Sequence, residues 1–122
     1  MLENFDKNQN YYKFYKRKNI PIVFIHGVGL DHEMWFPQIR SFKNNSILVY
    51  DLLGHGKTPL HKKSVNFEDF SKQLNNLLNN LNIKKINLVG FSFGSLVALN
   101  FAKKYQKKIN KLVLISTVYK RD

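Results

Sequence analysis

The stretch INLVGFSFGSLVALNFAKKY, residues 86–105, carries the reading of the whole chain. Ile86–Val89 is an apolar run of strand length, and Gly90 ends it. From Phe93 onward the period changes. Leu96, Val97, Phe101 and Tyr105 recur at helical spacing and predict a helix over 93–105 with these four turned inward. Only Gly90-Phe91-Ser92-Phe93-Gly94 joins strand to helix, so the chain must reverse direction there within a few residues.

The same alternation extends outward on both sides. Residues 11–16 read as a strand. Ile20–Ile25, around Pro21, is an apolar run that stops at His26-Gly27. Residues 32–42 predict a helix with Trp35, Phe36, Ile39 and Phe42 on one side. Ile47–Tyr50 is a second core strand, and the Gly- and Pro-containing stretch Asp51–Pro59 is a loop. Phe67, Phe70, Leu74, Leu77, Leu78 and Leu81 predict a helix over 67–81, with Asn66 as its cap and Asp69 closing an imperfect capping box. Leu112–Ile115 is the last short run. Short apolar strands alternating with helices predict an α/β fold: three αβα layers around a mostly parallel sheet. With 122 residues, 43% of them hydrophobic, this is one domain spanning 1–122.

Gly90-Phe91-Ser92-Phe93-Gly94 has the G-x-S-x-G form, placed between strand and helix as a nucleophile turn requires. A bend this sharp holds Ser92 in strained backbone and projects its hydroxyl. The glycines two residues to either side let neighbouring backbone pass without a Cβ clash. The helix N-terminus puts the Phe93 N–H where negative charge would develop. The alternative is an ordinary βα turn in which Ser92 merely caps the helix.

Two further motifs stand in order along the chain. His26-Gly27-Val28-Gly29 follows the Ile22–Ile25 strand, and Asp51-Leu52-Leu53-Gly54-His55-Gly56-Lys57-Thr58 follows the next. With these, the chain resembles the α/β-hydrolase family over roughly residues 12–119. The segment IPIVFIHGVGLDHEMW is similar to the family's oxyanion-hole loop. The resemblance implies that the Val28 and Phe93 N–H groups are the oxyanion donors and that Gly27, Gly90 and Gly94 are the turn and loop glycines. It implies that His26 is structural and that Asp51 shapes its loop. It further implies a serine hydrolase of small carboxylic esters, thioesters or lactones that needs no cofactor and no metal. A metal held by Asp51 with His55 has two ligands and lacks a third. Nucleotide motifs fail on spacing: a dinucleotide fingerprint begun at Gly27 meets His32 where glycine is needed, and a P-loop ending at Gly56-Lys57-Thr58 meets Asp51.

In this family the acid and the histidine of the triad follow the serine. After Ser92 there is no histidine, and the one acid is Asp122. His26, His32, His55 and His61 all precede it. Without a general base the hydroxyl is a weak nucleophile. The sequence therefore reads as a partial fold lacking the lid and last strands. It is expected to be a truncated product, a fragment, or one half of a split enzyme whose second chain carries the rest. The competing reading is a catalytically silent module.

The chain contains no cysteine, its start lacks a signal-peptide pattern, and no apolar stretch reaches membrane-span length. A cytoplasmic protein with no membrane partner is expected. The net charge of +12 invites a polyanion, and residues 11–18 interleave Tyr11, Tyr12, Phe14 and Tyr15 with Lys13, Lys16, Arg17 and Lys18. A half-buried edge strand with a basic tail gives the same pattern. The expected partner is a small acyl substrate, not a nucleic acid.

Overall fold

The structure is a computed structural model and describes residues 1–117. Six strands form one sheet: β1 (Leu2–Phe5), β2 (Tyr11–Tyr15), β3 (Lys18–Ile25), β4 (Asn45–Tyr50), β5 (Ile86–Phe91) and β6 (Ile109–Ile115). Their spatial order is β1-β2-β4-β3-β5-β6. The four strands from β4 to β6 are mutually parallel, whereas β2 pairs antiparallel with β4 and with β1. The sheet is mixed and mostly parallel, with helices on both faces.

Strand alternation builds two cores. Val23, Ile25, Leu48, Tyr50 and Leu88 point to the face covered by α2 (Phe67–Asn80) and α3 (Phe93–Lys104). Phe24, Ile47 and Val49 point to the opposite face, where Trp35 and Ile39 meet them. The Asn-rich 67–80 stretch is a weak helix former. Fully buried Leu74, Leu77 and Leu78 contribute roughly 1.5–3 kcal/mol each, which outweighs that propensity. The expected Asn66–Asp69 capping box is complete: Asp69 N donates to Asn66 Oδ1 and Asn66 N to Asp69 Oδ2, both at 2.9 Å.

Several expectations need correction. The 32–42 helix is a 3-10 turn over His32–Trp35 followed by the short α1 (Phe36–Ser41). The change of pitch rotates Phe36 and Phe42 outward, leaving them 58% and 45% exposed, and only Trp35 and Ile39 face the core. On α3 the inward stripe is Gly94, Ser95, Val97, Ala98 and Phe101, while Leu96 is half-buried. Strand β2 is not an edge. Tyr11, Tyr12 and Phe14 are all buried, because β1 pairs along its outer side. Strand β1 is exposed throughout and has no apolar alternation, so no pattern in its sequence announces it. The Leu112–Ile115 run lies in β6, at the far edge of the described sheet, with Val113 and Ile115 exposed.

Among the described residues three buried side-chain atoms lack a hydrogen-bond partner: Trp35 Nε1, Gln38 Oε1 and the Tyr50 hydroxyl. The Tyr50 hydroxyl has no hydrogen-bond partner although the residue is fully buried, and that burial pushes its pKa far up. An orphaned buried hydroxyl costs free energy that its apolar isostere does not. Tyr50→Phe is expected to raise unfolding stability by about 1 kcal/mol, read as a higher urea midpoint at unchanged m-value.

Candidate functional site

Strands β3, β4 and β5 end side by side, and the three sequence motifs follow those ends. Ile25 is paired with Gly90 in register, so His26-Gly27 and Phe91-Ser92 leave the sheet together.

Ser92 joins β5 to α3 with φ 55° and ψ −118°, a region that a non-glycine residue occupies only under constraint. Its N–H donates to the Ile115 carbonyl at 2.9 Å. Its own carbonyl accepts from Ser95 N at 2.9 Å and Ser95 Oγ at 2.5 Å. These bonds over-determine the backbone and hold the turn. Ser92 makes no side-chain capping bond to α3, which removes the simple capping role for its hydroxyl. Phe93 opens the helix, so its N–H is among the first-turn donors that a helix leaves unpaired. Ser95 carried no motif that would have singled it out.

The flanking glycines are steric necessities. A Cβ on Gly94 would lie 2.4 Å from the His26 carbonyl oxygen and 2.5 Å from that of Ile25. A Cβ on Gly90 would lie 2.3 Å from the Gly94 carbonyl oxygen. The start of α3 thus rests directly on the end of β3. Phe91 completes the contact: its ring reaches within 3.2 Å of where a Gly27 Cβ would sit. Beyond Gly27 the chain makes a turn closed by Leu30 N to Gly27 O, 3.2 Å, with Gly29 at φ 77°. Val28 occupies the tip of that turn, 66% exposed.

His26 is fully buried. Its Nδ1 lies 2.7 Å from the Gly27 carbonyl and its Nε2 3.0 Å from the Leu52 N–H, so Nδ1–H donates while Nε2 accepts. This ties the β3 loop to the β4 loop, a structural role. Burial holds its pKa below the usual histidine value, against the opposing pull of the Gly27 carbonyl. The native state therefore keeps His26 neutral, and the unfolded chain binds the extra proton first. The stability it contributes is whole above about pH 6.5 and is lost as pH falls toward the lowered folded value. Urea midpoints are expected to decline below that pH, by at most about 1.4 kcal/mol per pH unit for this one proton, and His26→Gln is expected to remove that component.

Asp51 is buried and fully engaged. Oδ1 accepts from the His32 N–H and lies 2.8 Å from His32 Nδ1, and Oδ2 accepts from Lys57 N at 2.9 Å. A Cβ on Gly56 would fall 2.2 Å from Oδ2. Gln73 of α2 pins the same loop, donating to the Asp51 carbonyl and to Asn10 Oδ1 while accepting from Leu53 N. The histidine partner of Asp51 is therefore His32, not His55, whose ring packs on His26 instead. Sequence reasoning missed both His32 and Gln73, since their partners are 19 and 22 residues away. Asp31, His32 and Asp51 bring ligand atoms within 4.8 Å of one another. Both Asp51 oxygens and Asp31 Oδ1 already accept from backbone N–H groups, those of His32, Lys57 and Glu33.

Of the four histidines, His26, His32 and His55 are committed to the contacts above, and His61 lies in the exposed loop before α2. Asp122 lies outside the described residues. No helix among the described residues is long and apolar enough to cross a membrane.

A family model described as alpha/beta hydrolase fold matches residues 20–121. The (E)-2-((N-methylformamido)methylene)succinate hydrolase of Acinetobacter baylyi is 30% identical over 115 residues, 93% of this chain and 44% of that protein. The 3-oxoadipate enol-lactonase 1 of the same organism is 34% identical over 84 residues, 67% of this chain and 31% of that one. Among solved structures, a thermophilic esterase from Thermogutta terrifontis superposes with a TM-score of 0.83 at 28% identity, over 99% of this chain and 47% of the esterase. The chain spans less than half the length of each of these relatives.

Proposed function

The chain belongs to the α/β-hydrolase fold family, and on that premise we propose that it carries the nucleophile and the oxyanion-binding groups of a serine hydrolase acting on small carboxylic esters, thioesters or lactones. Ser92 Oγ attacks the carbonyl carbon. The Val28 and Phe93 N–H groups receive the developing oxyanion. Collapse expels the alcohol, thiol or enol and leaves an acyl group on Ser92, and water then releases the acid. The observation that carries this reading is the backbone of Ser92: a positive φ at a helix N-terminus, on a turn whose glycines press against the end of β3, with the hydroxyl unused as a cap. The substrate class is drawn from the names of the relatives, a hydrolase, an enol-lactonase and an esterase.

The Ser92 proton must pass to a base and return to the leaving group. No histidine follows Ser92, and three of the four that precede it serve the fold. In the family's order the histidine follows the serine, so the base is assigned to polypeptide outside these residues, either the same protein or a second chain that completes the sheet beyond β6. A cytoplasmic setting fits the absence of cysteine.

A fluorophosphonate probe tests the proposal. The chain alone is expected to form a slow adduct on Ser92, found by peptide mass spectrometry and accelerated by added imidazole as a surrogate base. A folded chain whose labelling matches Ser92→Ala with and without imidazole is instead a silent module, the reading that the missing histidine favours.

A further inference from the structure

The Lys16–Lys18 tail, set aside in sequence as the solvated end of a strand, does not stand alone in space. Because β3, β4, β5 and β6 are adjacent and parallel, the four connections that precede them emerge on one side of the sheet, spread over about 15 Å. They carry Lys16 and Arg17 before β3 with Lys18 as its first residue, Lys43 before β4, Lys84 and Lys85 before β5, and Lys107 and Lys108 before β6. None of the acids among the described residues lies in any of these connections. Complementing helix dipoles does not account for the pattern, since that effect fades beyond the last helical turn. Helices α1, α2 and α3 end at Ser41, Asn80 and Lys104, so Lys16, Arg17, Lys18, Lys43, Lys84 and Lys85 lie outside any helix, while Lys107 and Lys108 stand in a 3-10 turn over Gln106–Lys108.

The surface they form is hollowed. A concavity of 280 Å³ is lined by Lys16, Arg17, Lys84 and Lys85. It shares Phe14, Lys16, Leu81 and Asn82 with a neighbouring one of 440 Å³. On the other side Lys85 Nζ donates to the Lys107 carbonyl at 3.0 Å, linking it to a third hollow of 400 Å³ along Lys103–Lys108. No acidic residue lines any of the three. The cations are close enough to feel one another: burial, and then the Lys84 charge, push the Lys108 ammonium pKa down. Aromatic rings lie among them: Tyr15 is under the Arg17 guanidinium at 5.2 Å, and the Tyr105 ring has the Lys108 ammonium at 5.6 Å and that of Lys104, itself paired with Glu68, at 5.9 Å.

We infer that this face, opposite the Ser92 turn, is a binding track for a single-stranded nucleic acid. A groove of connected hollows with cations along it and rings beside it suits a flexible phosphodiester chain whose bases can stack. A flat bilayer would meet only the rims of such hollows. The track uses none of the residues proposed for acyl chemistry, so it stands independently of that reading.

The test is fluorescence anisotropy with a fluorescein-labelled uridine oligomer of about 20 nucleotides, at salt from about 50 to 200 mM. Two charge-matched variants are compared, both built on exposed lysines. One changes Lys16, Lys18, Lys84 and Lys107 to Gln, and the other changes Lys7, Lys57, Lys63 and Lys72 to Gln. The first is expected to weaken binding about tenfold or more at the lower salt and to flatten the log–log salt slope by about 3, since each single-strand phosphate contact contributes roughly 0.7. The second is expected to change affinity less than about threefold. Equal weakening by both variants, absence of oligomer binding, or binding to phosphatidylserine vesicles in place of the oligomer overturns the inference.

Discussion

Gly94→Ala is expected to cost about 3–5 kcal/mol, enough to leave much of the protein unfolded at 25 °C when total stability is about 5–15 kcal/mol. The added methyl would sit 2.4 Å and 2.5 Å from two carbonyl oxygens, those of His26 and Ile25. Both belong to the backbone at the end of β3, the strand held between β4 and β5. Neither can swing aside as a side chain would. The helix must lift instead, and lifting α3 withdraws Val97, Ala98 and Phe101, all fully buried, from the sheet. The lost packing adds to the overpacking strain, so the cost exceeds that of an ordinary glycine replacement. Gly29→Ala is the matched control. Gly29 has φ 77°, but nothing lies within 4 Å of its notional Cβ. Its cost is backbone strain alone, about 1–2 kcal/mol. Urea denaturation of the two variants beside the parent separates close approach from conformational freedom. Equal destabilisation would show that α3 does not bear on the β3 carbonyls as described.

The second large effect concerns Ser92, where stability and chemistry are expected to move in opposite directions. A non-glycine residue held at φ 55°, ψ −118° stores of order 1–3 kcal/mol. Ser92→Gly relieves that strain and removes the hydroxyl. The variant is expected to unfold at higher urea by about 1 kcal/mol and to lose all fluorophosphonate labelling. Ser92→Ala keeps the Cβ, and with it the strain, and is expected to match the parent in stability while losing the same labelling. The contrast matters because a serine that merely stabilised its turn would give the reverse order, with both variants less stable. A strained residue more stable as glycine is the signature of a conformation retained for something other than folding. In a protein completed by its general base, the loss in Ser92→Ala is expected to reach several orders of magnitude in turnover, because hydroxyl and base act as one unit.

The two cores illustrate how far the one-dimensional pattern reaches. The parallel strands were legible because a strand buried on both faces must be apolar at nearly every position, and Ile22–Ile25, Ile47–Tyr50 and Ile86–Val89 are. Helix α2 was legible because one face is leucine at helical spacing. The 32–42 segment is ambiguous in sequence because four aromatic or aliphatic residues suit a helical stripe equally well whether or not the helix begins with a tighter turn. The tight first turn that leaves Phe36 and Phe42 outward is held by Asp31 accepting from Glu33 N and by the Trp35 ring tilted against Phe24 at 4.7 Å. Strand β1 escaped notice because its pairing with β2 is a matter of backbone hydrogen bonds, which any side chains permit.

The amino-acid sequence alone determined the alternation of strands and helices from β2 onward, the three layers, and the short strand-to-helix turn with serine at its centre. Each of these is a local consequence of period, glycine placement and apolar burial. The tertiary structure alone decided which histidine Asp51 takes, that Gly94 rests on the carbonyls of β3, and that lysines from four separate connections face the same way. Those facts depend on which chain ends lie side by side, and proximity across 20 to 90 residues is created by strand pairing in space, to which the identity of any single residue is blind.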